Sequence, residues 1–258
     1  MLERVLYPLF RRFDFRGKGR LRRFLPVRAE GTADARFPGG FRLRLDLRES
    51  LQRDFLFGLY DRSELDLVRR HLGDGGFVDV GAHIGLYTVA AAHGPGRVLA
   101  FEPNPSAREQ LVENLALNDC TNVLVVPKAV GDAPGTALLH VPTTPDPSFS
   151  SLAGGRFAEG EPIDVEVTTV DAEVEAAGLA PSVVKIDVEG GELAVVTGMQ
   201  RTLERHRPVL LVEVNEASAR ELARTLEGYS GFRVGRGLEP LASGSGLFNA
   251  LFLPQPPV

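Results

Sequence analysis

The sequence predicts an α/β protein: a Rossmann-like, doubly wound sheet, mostly parallel, with helices on both faces. Three observations carry this expectation. Apolar runs at 77–80, 98–101, 122–127, 182–187 and 208–214 read as strands buried on both sides. Helix-patterned segments at 86–92, 105–117 and 217–226 alternate with them. The turn after the first run holds Gly81 and Gly85, and the second run closes on an acid, Glu102.

Taken in order, residues 1–38 form a basic N-terminal extension and 39–258 the main domain. Residues 1–28 carry Arg4, Arg11, Arg12, Arg16, Lys18, Arg20, Arg22, Arg23 and Arg28 against Glu3 and Asp14. Leu2, Leu6, Leu9, Phe10 and Phe13 fit one helical face. Two readings follow: a segment for an anionic surface or partner, or a helix packed on the domain with a solvated basic side. The packed helix is preferred. Residues 39–47 alternate apolar and polar, as in a strand with one wet face. Ser63 and Asp66 resemble a capping box ahead of Leu65, Val68 and Leu72 at helical spacing. That helix would cover the cleft, with 58–61 (GLYD) as part of a lid.

Further along, DAPG between 129 and 141 predicts a hairpin. The Pro-, Ser- and Gly-rich stretch 141–162 is a long loop, either functional or disordered. Its Ser148, Ser150 and Ser151 either meet an acceptor or belong to a plain loop. Residues 163–170 read as a strand, Asp171 as the cap of a short helix ending at Gly178, and 232–234 and 247–253 as completing the sheet.

Composition narrows the function classes. A chain of 258 residues with 43% hydrophobic residues buries a substantial core. A net charge of −5 argues against nucleic acid as the main partner. The single Cys120 excludes an internal disulfide framework and fits a reducing compartment. No run is long enough to span a bilayer and no signal peptide is visible, so a cytoplasmic location is expected.

The glycine turn carries the chemistry. A turn leaving a buried strand and entering a helix gathers backbone N–H groups at the positive helix end. An acid at the tip of the next strand accepts bonds from both ribose hydroxyls. Asp79 and Glu102 are 102 − 79 = 23 positions apart, near the spacing of roughly 20 for that role. The pattern D-x-G-x-x-x-G is not the dinucleotide fingerprint, because its first glycine position is acidic. An acid there suits a cationic ligand, such as the amino group of an amino acid. A nucleoside with an amino-acid tail points to S-adenosylmethionine. The bland alternative is an ordinary strand–helix–strand unit with a tight turn.

Asp79, Glu102, Asp187 and Glu213 fall at or near carboxyl ends of predicted strands, where such sheets bind ligands. Glu189 and Glu192 open the following helix. Acids at several adjacent strand tips imply a shared cleft. The order of preference for a base is Asp187, Glu189, Glu213; clustering raises the proton affinity of one another's carboxyls. The same cluster suits a divalent cation equally, so the metal question stays open. Lys185, two positions before Asp187, points to the same side as an ion partner. His140 and His206 are preferred as structural.

In this order, VDVGAHIGLYT, FEPNP, LALN, KAVGD, VKIDVEGGEL and VLLVEV resemble the FkbM-type S-adenosylmethionine-dependent methyltransferases. The resemblance runs from about Leu43 to the C-terminus, and KIDVEGGE is its most specific piece. It implies a class I methyltransferase fold with a seven-stranded sheet and one antiparallel strand. It also implies methylation of a hydroxyl on a sugar, glycan or polyketide-like product. By position, it implies cofactor contacts from Tyr60 and Asp61. Asp79, Gly81 and Gly85, with Ala82, His83 and Thr88, would meet the methionine end. Glu102, with Pro103 and Asn104, would meet the ribose, and Lys128, Ala129 and Val130 the adenine. Asp187 and Glu189 would face the methyl group and acceptor. Departures are His83 for Asn, Asp61 for Glu and Gly191 for Ala. Alternatives are an N- or nucleic-acid methyltransferase, for which EPNP lies on the wrong strand, and a non-catalytic S-adenosylmethionine-binding module. A nicotinamide dehydrogenase is a distant fourth.

Overall fold

The computed structural model describes residues 31–59, 62–141, 151–152, 161–235, 237–241 and 246–256. The basic segment 1–28, Tyr60, Asp61, Ser148 and Ser150 lie outside the described residues. The chain opens with a hairpin of β1 (Thr32–Arg36) and β2 (Arg42–Asp46), then helices α1 (Ser50–Phe57) and α2 (Arg62–Leu72). The predicted alternation in 39–47 is real: Leu43 and Leu45 are fully buried and Arg42 and Arg44 exposed. Ser63 lies inside the first turn of α2 rather than capping it, because the helix already begins at Arg62.

The first core unit is β3 (Gly76–Val80), α3 (Leu86–Ala92), β4 (Val98–Phe101), α4 (Pro105–Leu117) and β5 (Val123–Val126). Asn104 caps α4 by accepting the Ser106 N–H, with Pro105 in the first helical position. From the other end of α4, Asn114 and Asn118 accept the N–H groups of Arg44 and Arg42 at 2.7 and 2.8 Å. The outer edge of β2 is thereby satisfied by side chains, and the hairpin is fixed to the domain.

Next come β6 (Ala129–Val130), β7 (Gly135–Val141), β8 (Ser151–Leu152) and β9 (Glu161–Thr168). The expected hairpin in 129–141 does not form. β9 lies between its two halves, parallel to β6 and antiparallel to β7, in a sheet ordered β6-β9-β7-β8. The seven-residue register of β7 with β9 offers far more ladder bonds than the two-residue β6 can.

Then follow α5 (Val170–Ala177), β10 (Pro181–Ile186), α6 (Glu192–Thr197), α7 (Gln200–His206), β11 (Val209–Val214), α8 (Glu216–Thr225), β12 (Tyr229–Val234), β13 (Leu238–Pro240) and β14 (Phe248–Pro254). The cap of α5 is Thr169, whose Oγ1 accepts the Ala172 N–H. Asp171, expected there, instead accepts the Arg201 and Thr202 N–H groups and the Thr202 hydroxyl, so it caps α7. The helix at 200–206 is not among those the sequence pattern predicts.

The large sheet runs β13-β12-β14-β11-β10-β3-β4-β5. β5, β4, β3, β10 and β11 are mutually parallel, and β14 runs antiparallel between β11 and β12. Seven strands with one reversed were expected; the short β13 adds an eighth at the edge, also antiparallel. Each core strand feeds both faces. Val78 and Val80 pack with Val195, Met199 and Leu222, while Phe77 packs with Val68 and Leu72 of α2. Chain order reverses between β3 and β10, and ligands of open parallel sheets lie above such a point. Among the described residues, no helix is long and apolar enough to cross a membrane.

Candidate active site

The carboxyl ends of β3, β4, β10 and β11 open into one cavity of about 290 Å³. Its rim begins at the glycine turn. Gly81 has φ +83°, and a Cβ there would lie 1.9 Å from the Asp187 carbonyl oxygen. The ends of β3 and β10 touch at this point, where the Asp187 N–H donates to Val80 O at 2.9 Å. A side chain at 81 would push Asp187 out of place. His83 also takes a left-handed conformation, φ 50°, a region in which Asn and His are both enriched. Its contribution to the turn is its backbone, so the change from Asn leaves that bond intact.

That bond goes to Glu102. The His83 N–H donates to Oε2 at 2.7 Å and the Asn104 N–H to Oε1 at 2.9 Å. Each oxygen keeps a lone pair for a further donor, so the carboxylate can accept two adjacent hydroxyls. Burial pushes the Glu102 carboxyl up to about 7, against the pull of those two N–H groups. Burial likewise lowers His83, which is therefore neutral near pH 7. Phe101, Ala107, Val130 and Leu139 make an apolar slot beside Glu102. Lys128 sits at its edge, paired with Glu166 at 2.8 Å and Glu173 at 3.3 Å.

The other half of the cavity is polar. Lys185, 2% exposed, donates to Asp187 Oδ2 at 2.8 Å and stands opposite Asp79 in the β3–β10 register. Its ammonium lies 4.5 Å from the centre of the Tyr87 ring. The Tyr87 hydroxyl donates to Glu64 Oε2, and Asn249 Nδ2 donates to Glu64 Oε1 at 2.5 Å. Asp187, Glu189 and Glu213 each place a carboxylate oxygen within 4.8 Å of the others. Hard oxygen ligands so grouped also suit a divalent cation.

Electrostatics divides the acids. Burial works to raise Asp187, but Lys185 and a bond shared with Glu213 outweigh it and hold it below its usual value. Burial, then the charge of Asp187, pushes Glu213 up to about 8. Near neutral pH the pair therefore holds one proton between them. The unfolded Glu213 ionises near 4.5 and the folded one near 8, so stability falls as pH rises across that window. Glu213→Gln should raise the melting temperature at pH 8 and leave it nearly unchanged at pH 4.5. Each kcal/mol recovered corresponds to about 2–4 °C; equal shifts at both pH values would show that repacking, not charge, is responsible.

Of the residues expected to act, Gly81, Ala82, His83, Glu102, Pro103, Asn104, Lys128, Ala129, Val130, Asp187, Glu189 and Glu213 line this cavity. Asp79 and Thr88 are not on its wall: Asp79 is 1% exposed and takes the Thr88 hydroxyl at 2.6 Å, while its Oδ1 has no partner. Gly85 serves packing, since a Cβ would lie 2.5 Å from Leu111 Cδ1. Glu64, Tyr87 and Asn249 were missed. Two signals pointed to them: an acid beside Leu65 and Val68 on the apolar side of a helix, and an Asn within the apolar run 248–253.

A sheet of this strand order, with a glycine turn and a strand-tip acid at its switch point, defines the class I methyltransferase fold. The methyltransferase FkbM domain model matches residues 79–234, and the chain belongs to that family. The crystal structure of the methyltransferase FkbM from Methylobacillus flagellatus KT superposes with a TM-score of 0.50 and 15% identity, covering 77% of this chain and 52% of that one. At that identity the likeness is one of fold. The hexuronic acid methyltransferase AglP of Haloferax volcanii is 31% identical over 148 residues, 55% of this chain and 59% of that protein. The methyltransferase sdnD of Sordaria araneosa is 28% identical over 153 residues, 47% of this chain and again 59% of the relative. The matches thus span less than two thirds of either relative.

Proposed function

We propose that this methyltransferase uses S-adenosylmethionine and transfers the methyl group to a hydroxyl oxygen of a sugar, glycan or polyketide-like acceptor. One observation carries the reading: Glu102, held by the His83 and Asn104 N–H groups, and the Asp187–Glu213 pair share one cavity. The first suits a ribose, and the second suits a proton to be removed. The residues fit such a donor, with paired acceptor oxygens at Glu102 and an apolar slot for a purine beside them. A relative named for a hexuronic acid supports a sugar acceptor.

When bound, S-adenosylmethionine supplies an already electrophilic methyl group. The protein's work is then to bind, align and deprotonate. Glu102 accepts the ribose hydroxyls, and Phe101, Ala107, Val130 and Leu139 exclude water from the base. Alignment of donor and acceptor provides most of the acceleration. Lys185 keeps Asp187 ionised at the floor, and the Asp187–Glu213 pair receives the acceptor hydroxyl's proton.

Calorimetry with S-adenosylhomocysteine tests the donor assignment. Hydroxyl donors favour the ionised Glu102, which titrates near 7, so affinity should rise from pH 6 to pH 8. Glu102→Ala should remove that rise and weaken binding by about 10–100-fold, the worth of hydrogen bonds to a charged group. No heat at either pH would overturn the donor assignment.

A further inference from the structure

The far half of the cavity differs sharply in its inventory of donors and acceptors. Its hydrogen-bond donors are engaged within the protein: the Tyr87 hydroxyl and Asn249 Nδ2 by Glu64, and the Lys185 ammonium by Asp187. Acceptors face the space instead. Asn249 stands directly across from Glu213 in the β11–β14 register, but its Oδ1 is buried, so the acceptors that reach the space are the carboxylates. Glu213, Asp187 and Glu189 complete the wall. Among the described lining residues, both lysines are ion-paired, Lys185 with Asp187 and Lys128 with Glu166 and Glu173.

We infer that this half of the cavity selects its acceptor by charge, taking a neutral or amino-bearing polyol and turning away a sugar that carries a carboxylate. The inference rests on the reading of the cavity as a methyl-transfer site, and narrows it. A polyol or an ammonium presents donors, which an acceptor-rich wall satisfies. A uronate presents two further acceptors and a negative charge to the same wall. The carboxylates of Asp187 and Glu189 on that wall repel such a charge. An incoming carboxylate meets the same repulsion in a partly desolvated place. Such selection would set this chain apart from the relative named for a hexuronic acid.

Three probes test this: glucose, glucosamine, in which an amine replaces the C2 hydroxyl, and glucuronic acid, in which C6 is a carboxylate. Each is titrated into the full chain by ligand-observed NMR, with and without S-adenosylhomocysteine, at low and at high salt. Glucose and glucosamine should bind, and glucuronate at least about tenfold more weakly, a difference of about 1.4 kcal/mol. The gap should shrink in salt and in Glu189→Gln. Glucuronate binding as tightly as glucose overturns the inference, and so does silence from all three probes. The charge pattern belongs to the walls, so the order should hold without S-adenosylhomocysteine as well. Failure of S-adenosylhomocysteine to bind strikes the donor assignment alone.

Discussion

Asp187→Asn is expected to stop methyl transfer while leaving donor binding within a few-fold of the parent protein. The substitution keeps size and shape but removes the charge that receives the acceptor's proton. A positioned base contributes about 10²–10⁴ to such a step, so turnover should fall by that factor. Donor affinity should survive because the contacts assigned to it lie at Glu102 and the apolar slot, not at the Asp187 carboxylate. The backbone of residue 187 is also retained, so its N–H still bonds Val80 and the close approach to Gly81 persists. The measurement is transfer of labelled methyl groups to an extract of the source organism, run beside S-adenosylhomocysteine calorimetry on the same variant. Unchanged turnover would remove Asp187 from the chemistry. Loss of turnover together with loss of binding would move it to the donor site.

Much of this architecture is legible without coordinates, for a physical reason. Strands buried on both faces must be apolar throughout, so any carboxylate near their ends marks the point where the sheet opens to a ligand. Glu102, Asp187 and Glu213 are visible in the sequence on that ground, and all three line the cavity. The two-residue side-chain period also places Lys185 beside Asp187, as observed at 2.8 Å. Asp79 shows the limit of this reasoning. It shares a face with Lys185, which does reach the cavity, but its shorter side chain is held by the Thr88 hydroxyl and stays off the wall. Glu64, Tyr87 and Asn249 come from α2, α3 and β14, elements up to 185 positions apart, and only packing brings them together. The pairing of β7 with β9 rather than β6 has the same origin, since a local turn signal fixes where the chain bends and not which strand it meets.

Lys185→Met should cost more stability than any other single change in the site. The side chain is almost completely buried and stands between two carboxylates, Asp187 in contact and Asp79 across the β3–β10 ladder. Both acids lower their energy through it, and their charges raise the proton affinity of the ammonium although burial opposes that. Methionine preserves most of the length and the contact with the Tyr87 ring, so the change tests charge and not volume. Breaking a buried pair costs about 3–5 kcal/mol, or about 6–20 °C in melting temperature for a chain of this size. The pH dependence identifies the cause. Without the ammonium, Asp187 rises above its unfolded value and Asp79, already raised by burial, rises further, so the variant gains protons on folding and its deficit shrinks as pH falls from 8 toward 5. Asp79→Asn, which removes one of the stranded charges, should recover part of the loss in the double variant. A deficit that is the same at both pH values and indifferent to Asp79→Asn would mean that Lys185 acts by filling space, and the ionised state of Asp187 would then need another source.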